Sequence, residues 1–393
     1  MAGEPPLTRP QVVSIYQQVL GRAPSEEEID AQIAGVGTLD GMLRVALDSE
    51  EYAALLRERG MEAARSPTLV NVFHPDLAEW GLPVGTRSDD GVAIVGRDGW
   101  LFLCGGTNAN LGQYVGAVQM EPDWLEEWVA VVQRRGAELA ELGLPAATLV
   151  VPDKLAVYED YYPEPLERQG PRPIERLLGE RELPLVYPLA ELQAAAANSE
   201  EIYLRTDTHL TFRGNELLFH SVLAGLGVER APDFADLPMR SYPIAGDLGA
   251  KFAPQVVSIV HEPNSLLGAE IVEDNRAEIE AVEGHIGTRR VFRNESAPDP
   301  RVVVIFGDSF GFSAPYYQGL SWFLAQVFRE VHFVWVPFGW DAEYVRRVGA
   351  GAVLIQGAER FVARVPAAAI DASRLAEETL SRKRALGIER VFH

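Results

Sequence analysis

The chain has 393 residues, of which 57 are acidic and 35 basic, so its formal net charge is −22. A field of this sign repels phosphate polymers and argues against nucleic acid as a partner. The one cysteine, Cys104, rules out an intrachain disulfide and a Cys-based zinc site. We expect no metal and no cofactor.

The length predicts two or three folding units, and the hydrophobic content of 47% is enough for a large core. The first residues lack the basic and apolar regions of a secretion signal, and no apolar stretch is long enough to cross a bilayer. We therefore expect a cytoplasmic protein, or a periplasmic or extracellular one if a leader has been removed.

In chain order, residues 1–65 are predicted to form a small all-α accessory module. Ser25 and Glu28 form a capping box that opens its second helix, and a third helix is expected over about 39–59. Residues 66–90, with their prolines and glycines, are predicted to be a linker.

Two stretches of this module carry a resemblance. Residues 16–24 and 47–52 are similar to a short helical domain of unknown function that occurs on bacterial extracellular and glycan-related proteins. The resemblance implies an accessory role, such as docking to a protein partner, and no chemistry.

Residues 91–393 alternate short apolar strands with helices, which favours an α/β fold with a parallel sheet covered on both faces. The segment 228–300 breaks this rhythm and is predicted to be a β-rich insertion beside the sheet. A hairpin is expected around Gly96–Gly99. Further strands are predicted at about 147–151, 184–187, 201–205, 302–306, 332–337 and 352–356, and helices at about 122–142, 188–197, 212–225 and 313–330.

A serine follows one of the most apolar of these strands. Residues 301–306 lead into Gly307-Asp308-Ser309, and the carboxyl ends of strands in an α/β sheet form the crevice where ligands bind. A hydroxyl there, at the opening of a helix, would have spare N–H groups beside it for a developing oxyanion. The alternative is that Asp308 or Ser309 only caps the helix.

A serine nucleophile needs a base, and His209 is the one histidine of seven with an aspartate two residues earlier. In extended backbone Asp207 and His209 point to the same side, so one segment after the strand 201–205 can supply both the imidazole and the carboxylate that orients it. His209 as a neighbour of a helix cap and a two-residue metal half-site are the alternatives.

Together these motifs resemble the SGNH hydrolase superfamily, in the branch of the alginate O-acetyltransferases. The resemblance rests on Gly307–Phe310, Asp207–Leu210 and three further stretches in consistent order, at 96–102, 150–158 and 358–360. It implies a three-layer α/β/α, flavodoxin-like fold and a Ser309–His209–Asp207 triad. The Asp-His pair precedes the serine, as in that branch, which favours acetyl transfer to a sugar hydroxyl of a polysaccharide over plain ester hydrolysis.

Other candidates surround this triad. The backbone N–H of Ser309 is the first expected oxyanion donor, and Asn108 resembles a superfamily donor. Lys154 and Arg205 lie at predicted strand ends, where they can contact a sugar or the phosphate of an acyl carrier. Tyr316, on the helix after the serine, is a further candidate for substrate binding.

The branch commonly has tryptophan after the histidine, whereas this chain has Leu210. We therefore expect any aromatic contact to the sugar to come from Trp340, Trp322 or Tyr316.

The predicted reaction is a double displacement through an acetyl-serine, with an acetyl donor and a carbohydrate as partners. Two alternatives stay open: a carbohydrate acetyl esterase, and a non-catalytic glycan-binding or scaffold protein.

Overall fold

The computed structural model describes residues 77–180, 183–253, 255–263, 265–280, 285–312 and 319–385, together with 69–71 and part of the stretch 7–54. None of the helices in these ranges is long and apolar enough to cross a membrane. The helices are α1 Glu26–Gly35, α2 Asn110–Tyr114, α3 Trp124–Leu142, α4 Lys154–Val157, α5 Pro173–Leu178, α6 Leu189–Ala197, α7 Phe212–Leu223, α8 Gly246–Gly249, α9 Arg276–Glu280, α10 Leu320–Leu324, α11 Ala342–Arg347 and α12 Ala372–Ala385.

Within the described residues the strands form three sheets. Their bounds are β1 Leu69–Asn71, β2 Ala93–Val95, β3 Leu101–Leu103, β4 Ala146–Val151, β5 Leu185–Val186, β6 Met239–Ile244, β7 Gln255–Pro263, β8 Glu270–Asp274, β9 Arg289–Arg293, β10 Asp299–Gly307, β11 Phe328–Trp335 and β12 Ala352–Ala358. The main sheet has seven strands in the order β5-β4-β12-β10-β11-β9-β8.

The expected α/β architecture is confirmed, and strand β10 shows why the sequence adopts it. Val303 and Ile305 pack into a core with α6, α7 and α10, whereas Val304 and Phe306 pack into a second core with α3, α5 and α11. Because successive side chains of a strand point to opposite faces, an unbroken apolar run needs cover on both sides. The result is three layers, with β10 as the middle strand of the seven-stranded sheet and five neighbouring strands, β5, β4, β12, β10 and β11, parallel to one another.

Two predicted elements differ from the structure. Residues 201–205 form no strand and make only an isolated antiparallel bridge between Tyr203 and Leu210. The helix expected over 313–330 is short among the described residues, because β11 begins at Phe328 and is paired on both sides, with β10 and β9. Residues 313–318 lie outside the described residues.

The segment 228–300 is also not wholly beside the main sheet. Its β8 and β9 extend that sheet as antiparallel strands, while β6 and β7 join β1 in a separate three-stranded sheet. Loss of parallel order at an edge is ordinary, because an antiparallel strand needs no crossover helix.

The hairpin of β2 and β3 forms as expected, and so does the capping box of Ser25 and Glu28 at the start of α1. Within the predicted linker, 69–71 is strand β1, which pairs with β7. The Tyr52 hydroxyl of the helical module donates to the Pro243 carbonyl on β6 at 3.2 Å. Much of the first and third predicted helices lies outside the described residues.

Helix α7 packs very closely on the segment before His209. An added Cβ at Gly214 would lie 2.2 Å from the Ile202 carbonyl oxygen, whereas one at Gly136 on α3 would meet nothing within 4 Å. We expect Gly214→Ala to destabilise the protein by about 1–3 kcal/mol through overpacking, and Gly136→Ala to stabilise it by about 0.5–1 kcal/mol through its better helix propensity. Urea unfolding measures both, and equal effects would contradict the close packing.

Candidate active site

Ser309 lies at the carboxyl end of β10, in a turn rather than at the start of a described helix. The N–H groups of Gly311 and Phe312 donate to the Asp308 carbonyl at 3.0 and 3.2 Å. The next described helix is α10, ten or more residues on. Ser309 is half-buried, and the turn places it at the strand end that sequence analysis selected.

Asp308 fixes this turn to the neighbouring strand β12. Its Oδ1 accepts from the Phe310 N–H at 3.0 Å and the Gln356 amide at 2.8 Å, and its Oδ2 accepts from the Ala358 N–H at 2.7 Å. The side-chain oxygen Oε1 of Gln356 in turn accepts from the Asp308 N–H at 3.0 Å. The buried carboxylate is therefore satisfied, and its side chain closes the turn and binds β12, with no helix described directly after it.

Asp207 and His209 form a close pair. Asp207 Oδ1 lies 2.5 Å from His209 Nδ1 and also accepts from the His209 N–H at 2.8 Å. The expected extended backbone after a strand is wrong: the pair lies in a turn that the Leu204 N–H closes by donating to the His209 carbonyl at 3.0 Å. Because of this turn, the backbone N–H and the ring Nδ1 of His209 both lie within hydrogen-bond distance of Asp207 Oδ1.

Each member of the Asp207–His209 pair stabilises the charged form of the other. Burial alone would raise the pKa of Asp207, but the His209 charge and the N–H donors around the carboxylate hold that pKa below its usual range. For His209, burial is the largest influence and opposes the charged form. The charge and hydrogen bond of Asp207 and the charge of Asp247 outweigh it, so that the pKa of His209 is raised above 6.5.

The two turns meet through Phe310. The centroid of its ring lies 5.2 Å from that of His209 and 5.4 Å from the Arg360 guanidinium carbon. Because Phe310 directly follows Ser309, the structure brings the imidazole to the residue beside the serine. The two motifs therefore lie beside each other at the carboxyl end of β10, although only Ser309 follows a strand.

A buried ion network lies behind this edge. Arg360 donates to Asp153 at 2.8 Å, and Glu359 pairs with Arg172 at 3.1 Å and accepts from the Tyr187 hydroxyl at 2.7 Å. Burial, then the charge of Asp153, raises the pKa of Glu359 to about 7. Sequence analysis found Glu359 and Arg360 by resemblance but missed Arg172 and Tyr187, which lie far away in the chain.

Lys154 and Arg205 lie near the pair and join chain segments. The buried Lys154 ammonium donates to the carbonyls of Leu101 and Arg205 at 2.8 and 3.1 Å, and burial lowers its pKa to about 7. The Arg205 guanidinium pairs with Glu201 at 2.8 Å and donates to the Asp98 carbonyl at 2.5 Å.

The other predicted contacts fall in different places. Asn108 lies in the loop before α2, and the Gln113 amide ties that loop to the site by donating to the carbonyls of Asn108 and Arg360 at 2.6 and 2.8 Å. Tyr316 lies outside the described residues. Trp322 and Trp340 are fully buried, with indole N–H groups that donate to Ser265 and Glu138, so neither can stack on a sugar.

Among the described residues, Asp207, His209 and Asp247 each offer a ligand atom, and these atoms lie within 4.8 Å of one another. Hydrogen bonds already account for the grouping: His209 Nδ1 faces Asp207, and the Asp247 carboxylate accepts from the N–H and hydroxyl of Thr208. We assign no metal to it. Sequence analysis missed Asp247, because it lies in the insertion and no local pattern connects it to Asp207.

The ion network gives a stability prediction. We expect Arg172→Met to lower the free energy of unfolding by about 3–5 kcal/mol, because it leaves Glu359 buried without its cation. The control is Arg168, whose side chain is 39% exposed and pairs with Glu175, a residue that also contacts Arg172. Because exposed ion pairs contribute little, Arg168→Met should lower the free energy of unfolding by less than about 1 kcal/mol. Denaturant unfolding compares the two. A similar small loss for both variants would show that the Arg172–Glu359 pair does not stabilise the fold.

A family model described as an SGNH hydrolase-like domain, acetyltransferase AlgX, matches residues 93–339. No curated protein matches the chain. Among solved structures it is similar to PatB1 of Bacillus cereus with a sulfonyl adduct, at 13% identity and a TM-score of 0.48, over 73% of this chain and 99% of that one. It is also similar to the O-acetyltransferase domain of Pseudomonas putida AlgJ, at 15% identity and a TM-score of 0.42, over 74% and 99%.

Proposed function

Because the chain belongs to the SGNH hydrolase-like acetyltransferase family of AlgX, we propose that it transfers acetyl groups to sugar hydroxyls, with Ser309 as nucleophile, His209 as base and Asp207 as the orienting carboxylate. The observation that supports this most is the Asp207–His209 pair at 2.5 Å, with its ring against the neighbour of Ser309. A paired imidazole beside a serine at a strand end is the arrangement that serine acyl transfer needs.

In the first step the Ser309 oxygen attacks the carbonyl carbon of the acetyl donor. The Nδ1–H of His209 is held by Asp207, so Nε2 is the nitrogen that takes the serine proton. The backbone N–H of Ser309 stabilises the oxyanion. The intermediate collapses to acetyl-serine as the leaving group departs with the proton from His209.

In the second step a sugar hydroxyl attacks the acetyl-serine. His209 takes the hydroxyl proton and returns it to the Ser309 oxygen as the acetyl group leaves. If water replaces the sugar, the same groups hydrolyse the ester. Transfer therefore depends on a bound acceptor that excludes water from the acetyl-serine.

Substitution of the nucleophile tests the proposal. Incubation with an acetyl ester donor and a panel of oligosaccharides, followed by glycan mass and acetate release, should show acetylated glycan for the wild type. We expect Ser309→Ala to lose on the order of 10³-fold or more in rate. The exposed Ser296 provides the control, and Ser296→Ala should match the wild type.

Each outcome of this assay is informative. Acetate release without glycan acetylation would replace the transferase with an esterase that uses the same residues. Equal rates for wild type and Ser309→Ala would remove Ser309 from catalysis.

The pH dependence tests the base. Because His209 must be neutral to accept a proton, kcat/KM should rise with pH and reach half its plateau above pH 6.5, in line with the raised pKa of His209. We expect Asp207→Asn to move this midpoint to lower pH and to slow turnover by about 10²- to 10⁴-fold. A pH–rate profile with a small acetyl ester measures both, and circular dichroism checks the fold. An unmoved midpoint would show that Asp207 does not act on His209.

A further inference from the structure

A short segment from the insertion lies directly against the Asp207–His209 turn. The Thr206 carbonyl accepts from the N–H groups of Leu248 and Gly249 at 3.2 and 2.9 Å. Gly246 has φ of +65°, and a Cβ added there would lie 2.6 Å from both the Thr206 carbonyl and Asp207 Oδ2. Only glycine allows this approach, so α8 and the turn are held in backbone contact.

Asp247 provides the side chain at this contact. Its Oδ1 accepts from the Thr208 N–H at 2.7 Å, and its Oδ2 accepts from the Thr208 hydroxyl. Its own N–H donates to Asp207 Oδ2 at 3.0 Å. Because Asp207 Oδ1 is occupied by His209, the Asp247 N–H fixes the other oxygen and so the rotation of the whole carboxylate.

We propose, on the basis of the function proposed above, that Asp247 is a positioning residue: it holds Asp207 and Thr208 in the geometry that orients His209, and its charge stabilises the imidazolium that forms when Ser309 loses its proton. It touches no reacting atom.

The charges around Asp247 support this role. Among the described residues, Asp207, His209, Lys154 and Arg360 are charged groups that interact with it. Asp247 raises the pKa of His209, whereas Arg360 lowers it. Although the residue is exposed, its carboxylate is turned toward Thr208, and the loss of hydration, followed by the Asp207 charge, raises the pKa of Asp247.

The test removes the charge and keeps the shape. In Asp247→Asn, we expect the plateau of kcat/KM to fall about 10-fold, because the imidazolium loses an anionic neighbour. The midpoint of the acid limb should move to lower pH, since the neutral form of His209 is then favoured. A merely structural residue would not move this midpoint. Asp236, an exposed carboxylate in the same insertion, supplies the control, and Asp236→Asn should match the wild type.

A second variant separates orientation from charge. Thr208→Val removes the hydrogen bond from the Thr208 hydroxyl to Asp247 but leaves the charge of Asp247 in place. The plateau of kcat/KM should therefore fall, while the midpoint of the acid limb stays unchanged. If Asp247→Asn does not fold, Thr208→Val alone tests the proposal. A kcat/KM plateau for Thr208→Val equal to that of the wild type would then overturn it.

The failure of this inference is distinguishable from failure of the proposed function. If Ser309→Ala and Asp207→Asn are inactive but Asp247→Asn keeps both plateau and midpoint, Asp247 has no positioning role and the triad stands. An NMR titration of His209, assigned with His209→Gln, needs no turnover. If the midpoint is the same in wild type and Asp247→Asn, the charge contribution is overturned whatever the reaction proves to be.

Discussion

The carboxylate of Asp308 is the point on which the geometry of the site depends. A buried carboxylate is costly unless its oxygens are hydrogen-bonded, and here the donors come from its own turn and from β12. This requirement locks the end of β10 to the end of β12. Ser309 follows one end and Arg360 the other, so both are placed by the same set of bonds.

Two groups of charged residues lie near this turn. Behind the turn, Arg360 is held by Asp153 and neutralises part of the acidic surroundings. The pKa of His209 is raised by the charges of Asp207 and Asp247 and lowered by the charge of Arg360. The basicity of the imidazole is therefore a balance between two carboxylates that favour the charged form and a guanidinium that opposes it. Burial makes each of these charges count for more than it would in water.

Sequence patterns predicted the elements whose formation is local. The apolar runs of β4, β10 and β12, the β2–β3 hairpin and the capping box of α1 appear where their residues indicated. Residues 201–205 have the composition of a strand, but the Arg205 carbonyl accepts hydrogen bonds from the Lys154 ammonium and the Leu101 N–H on β3 instead. Tertiary contacts of this kind leave no periodic signal in the chain.

The same limit applies to the candidate site. Ser309, His209 and Asp207 stand out because short motifs place the right groups two residues apart or at a strand end. The roles of Asp247, Arg172 and Gln356 depend on contacts with residues elsewhere in the chain, so one sequence cannot reveal them. For Trp322 and Trp340 the sequence suggested a role that the fold excludes. We expected either to stack on a sugar, but both are buried in the core, because burying so large an apolar surface is favourable.

The hydrogen bond between Asp308 and Gln356 affects when the site can form during folding. It joins residues 48 positions apart, the Asp207–Asp247 bond joins residues 40 apart, and the Asp153–Arg360 pair spans 207. Contacts of such long range form late in folding, because large loops must close first. A chain leaving the ribosome therefore completes the Ser309 turn only after β12 has been made and has docked. Until then the nascent chain contains Asp207, His209 and Ser309 but not the contacts that bring their two turns together.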